Sequence, residues 1–184
     1  RLPNLGSSTE LIFVEGRSQD DTLAACERAA AASNKNIRVL VQAGKGKGDA
    51  VRLGFSEAKG DILMILDADL SVDPEYLVHF YDALVGRKGE FINGCRLVYM
   101  MDPKAMRFLN LLGNRFFALL LSKLMGQHIK DSLCGTKVLW RSDYQLLAKG
   151  RAHFGQIDPF GDFDLLFGAA KLGPATSHSS CRSN

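Results

Sequence analysis

No run of 18 or more uncharged apolar residues occurs among these 184 residues, so the sequence offers no helix able to span a membrane. The four cysteines, Cys26, Cys95, Cys134 and Cys181, stand far apart, without a Cys-x-x-Cys pair or a Cys/His cluster. Neither a zinc site nor a disulfide framework has support, and a reducing cytosolic setting is expected. His79, His128 and His153 show no ligand spacing. Charge of one sign is also scarce: 23 Lys and Arg against 20 Asp and Glu leave a net charge of +3, spread along the chain. That removes the electrostatic reason to expect nucleic acid and suits a small anionic substrate. The single tryptophan, Trp140, reads as packing. The chain opens on Arg1 with no Met, signal peptide or transit segment, and residues 174–184 are a polar, low-complexity run. Both ends are expected to be cuts in a longer protein, with 174–184 a disordered or truncated tail.

What is present is a 46% apolar chain, enough for one globular domain over residues 1–173. Leu11-Ile12-Phe13-Val14, Ile37-Arg38-Val39-Leu40-Val41 and Ile62-Leu63-Met64-Ile65-Leu66 are short apolar, β-branched runs bounded by turn or charged residues, as parallel strands buried on both faces should be. Between them the spacing predicts helices over 22–32, begun by Asp20, Asp21 and Thr22, and over 49–59, closed by Gly60. In the second helix Ala50, Val51, Gly54, Phe55 and Ala58 share one face. The result is a βαβαβ unit. Asp73-Pro74-Glu75 starts a further helix running to about Val85, with Asp73 as N-cap. Strands are predicted at 91–94 and 136–140, and helices at 142–149 and 162–172. Residues 105–125 form an unusually apolar helix, too polar to cross a bilayer and suited to lie against one.

Asp67-Ala68-Asp69 follows the third strand directly, at the end where open α/β sheets bind ligands. If the extended geometry continues, both carboxylates point to one side. Two neighbouring carboxylates repel unless a cation joins them, and hard oxygen ligands suit Mg2+ or Mn2+ completed by diphosphate oxygens. Two aspartates in a turn can equally be caps; the preceding buried strand argues for the site. Gly44-Lys45-Gly46-Lys47-Gly48-Asp49 runs into a helix, so backbone N–H groups, the helix dipole and two lysines can converge on a phosphate. Val51 stands where a dinucleotide fingerprint needs its third small residue, and the Gly-Lys-Ser/Thr ending of a P-loop is absent.

Taken in order, Val14-Glu15-Gly16-Arg17-Ser18-Gln19-Asp20-Asp21-Thr22, Gly46-Lys47-Gly48-Asp49-Ala50-Val51 and Gly60-Asp61-Ile62 through Asp67-Ala68-Asp69 resemble the family 2 glycosyltransferases. Asn93-Gly94-Cys95-Arg96, residues 107–114 and Asp131-Ser132-Leu133-Cys134-Gly135-Thr136-Lys137 look like the acceptor half of dolichol-phosphate mannosyltransferases and bacterial polyprenyl-phosphate glycosyltransferases. The resemblance covers roughly residues 10–173. It implies an α/β fold of GT-A type, a mostly parallel central sheet flanked by helices, with a donor half over 10–85 and an acceptor half over 90–173. The family's usual first strand has no counterpart before Arg1.

The resemblance also implies roles. Glu15, Ser18 and Asp20 would hold base and ribose of a nucleotide-sugar donor, Lys45 and Lys47 would lie beside it, and Asp67 and Asp69 would serve diphosphate and metal, Asp69 foremost. Arg96 and Arg107 would grip a lipid phosphate by bidentate bonds, with Asn114 and Lys137 nearby. Asp131 is the acceptor-side carboxylate and leading catalytic base; Asp164 competes, as does Asp162, which also suits a helix N-cap. Departures are Gly16, where family members often carry a second acid, and Ser71, where a Gln often stands. The expected reaction is inverting transfer of a hexose to a polyprenyl or dolichyl phosphate, in the cytoplasm at the cytoplasmic face of a membrane. Two other readings remain at this point: a sugar-phosphate nucleotidyltransferase, which would turn over a nucleoside triphosphate, and a non-catalytic nucleotide-sugar binding domain. The sequence leaves the oligomeric state open.

Overall fold

A computed structural model describes residues 2–70, 72–89, 91–93, 135–150 and 176–177. The predicted helices at 105–125 and 162–172, together with Ser71, Arg96, Arg107, Asn114, Asp131, Asp162 and Asp164, lie outside the described residues. In chain order the described elements are β1 (Glu10–Glu15), α1 (Thr22–Ala31), β2 (Asn36–Val41), α2 (Gly46–Glu57), β3 (Ile62–Met64), a 3-10 turn (Pro74–Tyr76), α3 (Leu77–Val85), β4 (Phe91–Asn93), β5 (Lys137–Trp140), α4 (Arg141–Gly150) and β6 (Thr176–Ser177).

The first two strands pair in parallel, Glu10 with Asn36 through Glu15 with Val41, as a βαβ unit requires. The third strand departs from the expected run of three. It hydrogen-bonds within a second sheet of order β3-β5-β4-β6, where β5 pairs antiparallel with both β3 and β4, and β6 pairs parallel with β4. Among the described ladders, parallel and antiparallel pairings are therefore mixed. Thr176 and Ser177, within the expected tail, supply that last pairing.

Alternation explains why β3, β4 and β5 carry almost no polar residues. Leu63, Ile65, Phe91 and Leu139 face one way and pack with Phe55 of α2 and Tyr144 of α4. Met64, Ile92 and Val138 face the other way and pack with Leu77, Phe80, Ala83 and Leu84 of α3. The sheet is thus sandwiched between helices, and Phe55 and Tyr144 meet edge to face with centroids 5.0 Å apart.

Helix α2 also closes on β1. A Cβ at Gly54 would stand 3.2 Å from Val14 Cγ2, so the bare glycine lets helix and strand approach. At the other end of β1, Glu10 Oε1 accepts from the N–H groups of Lys59 at 2.5 Å and Gly60 at 2.9 Å, tying the turn after α2 to the first strand. The predicted cap before α3 is present: Asp73 accepts from Glu75 N–H at 3.0 Å with Pro74 next in line, although the first turn is 3-10 and the α-helix begins at Leu77. Helix α2 begins at Gly46, three residues earlier than predicted, because the glycine-rich segment itself forms its first turn.

Candidate active site

Beyond β3 the pairing persists for one more hydrogen bond, from Ile65 N–H to the Lys137 carbonyl at 2.9 Å. Carrying the antiparallel register onward from Met64 and Val138 sets Asp67 opposite Gly135. There the chain turns: Leu70 N–H donates to the Asp67 carbonyl at 3.0 Å, and Leu70 adopts φ 50°. The extended geometry thus ends at Asp67, and Asp69 sits exposed in the turn.

Lys47, in the first turn of α2, places Nζ 2.8 Å from Asp67 Oδ1, with the two side chains 31% and 28% exposed. Gly135 makes the meeting possible. A Cβ there would fall on the Asp67 carboxylate and stand 2.6 Å from Lys47 Nζ. The fold therefore brings Lys47 of the glycine-rich segment, Asp67 and Gly135 to one point, just beyond the C-terminal end of β3. Gly135 carries no signal in the linear pattern beyond its presence in the segment 131–137.

Lys45 occupies the N-cap position with an extended backbone, is exposed, and its side chain makes no capping hydrogen bond. The loop before it is closed by Asp49, whose Oδ2 accepts from Gly44 N–H at 3.0 Å. That amide is committed. The backbone donors a helix start offers to an anion are those of the first turn proper, from Gly46.

The segment after β1 is bonded to itself. Glu15, buried at 5% exposure, accepts from Arg17 N–H at 2.8 Å, Ser18 N–H at 2.6 Å and Ser18 Oγ at 2.6 Å. The Ser18 hydroxyl, then its backbone N–H, hold the Glu15 carboxyl below its ordinary value, with Arg17 N–H assisting against burial and Asp20. Asp20 accepts from Thr22 N–H at 3.0 Å at the start of α1, and its hydrogen bonds to Thr22 lower its own pKa. The three residues expected to hold base and ribose thus first build the loop that would present them. Arg17 turns that loop with φ 60°.

Lys137, expected near the acceptor, is fully buried in β5, opposite the equally buried Asn93 of β4. Among the described residues no group of three or more His, Cys, Asp or Glu side chains is placed to hold a metal alone. Asp67 and Asp69 fit one as partial ligands, since they offer hard carboxylate oxygens two residues apart.

Residues 4–146 match the family described as Glycosyl transferase family 2. The chain belongs to that family. Its fold is α/β of the GT-A type. Dolichol-phosphate mannosyltransferase of Saccharomyces cerevisiae is 39% identical over 83 residues, covering 45% of this chain and 31% of the relative. Undecaprenyl-phosphate 4-deoxy-4-formamido-L-arabinose transferase of Sodalis glossinidius is 38% identical over 72 residues, 39% of this chain and 22% of the relative. The matched stretches thus span under a third of these curated relatives. A mycobacterial protein of known crystal structure shares the fold at 23% identity and TM-score 0.51, over 73% of this chain and 44% of its own. Glucosyl-3-phosphoglycerate synthase of Mycobacterium tuberculosis, crystallised with Mn2+ and UDP-glucose, superposes at TM-score 0.47 and 24% identity, over 72% of this chain and 45% of its own.

Proposed function

We propose that this family 2 chain carries the donor site of an inverting glycosyltransferase that moves a hexose from a nucleoside-diphosphate sugar to a polyprenyl or dolichyl phosphate. The observation that carries the reading is the meeting of Lys47 and Asp67 at the end of β3, at a distance of 2.8 Å, against the bare backbone of Gly135. A cation on a helix N-terminus beside a carboxylate suits a metal-bound diphosphate, with the lysine and the first-turn amides on the anion and the carboxylates on the metal.

Asp69, with Asp67, would hold Mg2+ or Mn2+. When bound, the ion neutralises the charge that develops on the departing nucleoside diphosphate. Lys47 and the amides from Gly46 onward hold the diphosphate in place and add to that neutralisation, and Lys45 supplies further positive charge at the rim. Glu15, through its three hydrogen bonds, fixes the loop that carries Ser18 and Asp20 toward base and ribose. Positioning supplies most of the rate gain.

The relatives in Saccharomyces cerevisiae and Sodalis glossinidius are named for dolichol phosphate and undecaprenyl phosphate. Arg96 and Arg107 suit bidentate capture of such a phosphate, with Asn114 alongside. Lys137, buried as it is, would act on that region through the sheet. A phosphomonoester is mostly ionised at pH 7, its second pKa being about 6, so Asp131, or Asp164 in its place, orients the attacking oxygen more than it removes a proton. Contact with the cytoplasmic face of a membrane follows from such an acceptor. Among the described residues no helix is long and apolar enough to cross a membrane.

Thermal-shift measurements with UDP, GDP and their hexose esters, with and without Mn2+, test the donor reading. Stabilisation that needs the metal and disappears in Asp69→Asn supports it. Equal shifts in that variant remove the proposed metal site. Transfer to soluble acceptors and none to polyprenyl phosphate in vesicles removes the lipid acceptor.

A further inference from the structure

Gln42 follows β2 directly, and its backbone N–H donates to the Glu15 carbonyl at 2.9 Å, continuing the β1–β2 pairing by one bond. The residue is 4% exposed, and its side-chain Oε1 is buried without a hydrogen-bond partner. The side chain reaches Gly16, the residue that follows β1: a Cβ built there would stand 3.2 Å from Gln42 Nε2 and 4.0 Å from Cδ. Gln42 therefore stands close enough that a side chain at position 16 would press on its amide.

A buried amide oxygen is normally satisfied, and leaving it unpaired is costly. The contrast with its neighbour is sharp, since the Glu15 carboxylate beside it collects three donors. The position is the C-terminal rim of two parallel strands, where α/β sheets bind ligands, and two residues later begins the glycine-rich segment that leads to Lys47. With the diphosphate end of a donor at Lys47, the rim of β1 and β2 is left for its nucleoside end. Gly16 has no side chain to obstruct the amide as it turns.

We propose that Gln42 is a nucleobase-reading residue: its amide turns over Gly16 and its Oε1 accepts an N–H from the pairing edge of the donor's base. The inference rests on the donor reading above and names a residue and a chemical group within it. A glutamine at this place and a glycine at position 16 act as a pair, because a Cβ at 16 would stand 3.2 Å from Nε2 and crowd the amide as it turns.

Calorimetric titration of the 184-residue chain with UDP, GDP and inorganic pyrophosphate, each with Mn2+, tests it in wild type, Gln42→Leu and Gly16→Ala. Gln42→Leu is expected to weaken the preferred nucleoside diphosphate about tenfold, the share of one hydrogen bond, and to leave pyrophosphate unchanged. Its melting temperature without nucleotide should not fall, since an unsatisfied acceptor has been removed. Gly16→Ala, which keeps the amide and moves it, should weaken the same nucleotide in the same selective way, and it decides the matter if Gln42→Leu does not fold. Nucleotide binding equal to wild type in the variants, or an equal loss for pyrophosphate, overturns the role of Gln42 and leaves the donor reading standing. A wild-type chain that binds neither UDP nor GDP removes both.

Discussion

Gly135 shows how much of a site can depend on a missing side chain. A methyl group there would coincide with the Asp67 carboxylate and crowd Lys47, so Gly135→Ala must push both away or open the β3–β5 pairing. Its expected cost is about 1–3 kcal/mol of stability, with loss of any metal-dependent stabilisation by nucleoside diphosphates; urea titration and thermal shift measure the two. Glu15 illustrates the opposite case, a charged residue whose partners are all local. Its folded pKa is depressed, so its stabilisation is present above the ordinary value of 4.5 and is lost as the pH falls through the lower folded value. Glu15→Gln should therefore lower the urea midpoint at pH 7, and the gap from wild type should close on acidification. A gap that persists unchanged at low pH would show that the charge is not what the loop uses.

Helix α2 links the site to the core. Its first turn carries Lys47, while its last buried residue, Phe55, packs edge to face on Tyr144 of α4 and joins the cluster of Leu63 in β3 and Ile65 just after it. Phe55→Ala is expected to destabilise the chain by about 3–5 kcal/mol, read from the urea midpoint. It should also weaken nucleoside diphosphate binding, because the helix that aims Lys47 at Asp67 loses its anchor on the sheet. The sequence shows this helix and its apolar face clearly, Val51, Gly54, Phe55 and Ala58 recurring at helical spacing. Its start was less visible, because Gly46 and Gly48 read as a loop by propensity and become helical only when the preceding loop is closed by Asp49.

Burial divides the molecule unevenly. Helix α1 has no buried residue and β1 and β2 are mostly half-buried, whereas β4 and the first three residues of β5 are almost completely enclosed. Amide exchange should follow that division, with protection strongest in β5 and weakest in α1. Equal protection of the two would contradict the uneven packing. The same division separates the roles of the two sheets, since the mixed sheet holds the site's position while the lighter β1–β2 pair presents the loop of Glu15 and the amide of Gln42.

The chain's linear pattern was enough to place the strands 11–14 and 37–41, the start of a third at Ile62 that ends at Met64 and not at Leu66, the helices between them, the cap at Asp73, and the presence of Lys47, Asp67 and Asp69 in segments that resemble a glycosyltransferase. These are local properties: periodicity, capping and short ordered motifs leave their mark within a few residues. Tertiary structure decided that β3 pairs with β5, Ile62 with Trp140 and Met64 with Val138, that Gly135 stands bare against Asp67, and that Gln42 lies against Gly16 with an unused acceptor. Such facts depend on which apolar faces meet once the chain has closed long loops, and nothing in a residue's immediate neighbours encodes who will stand across the sheet from it.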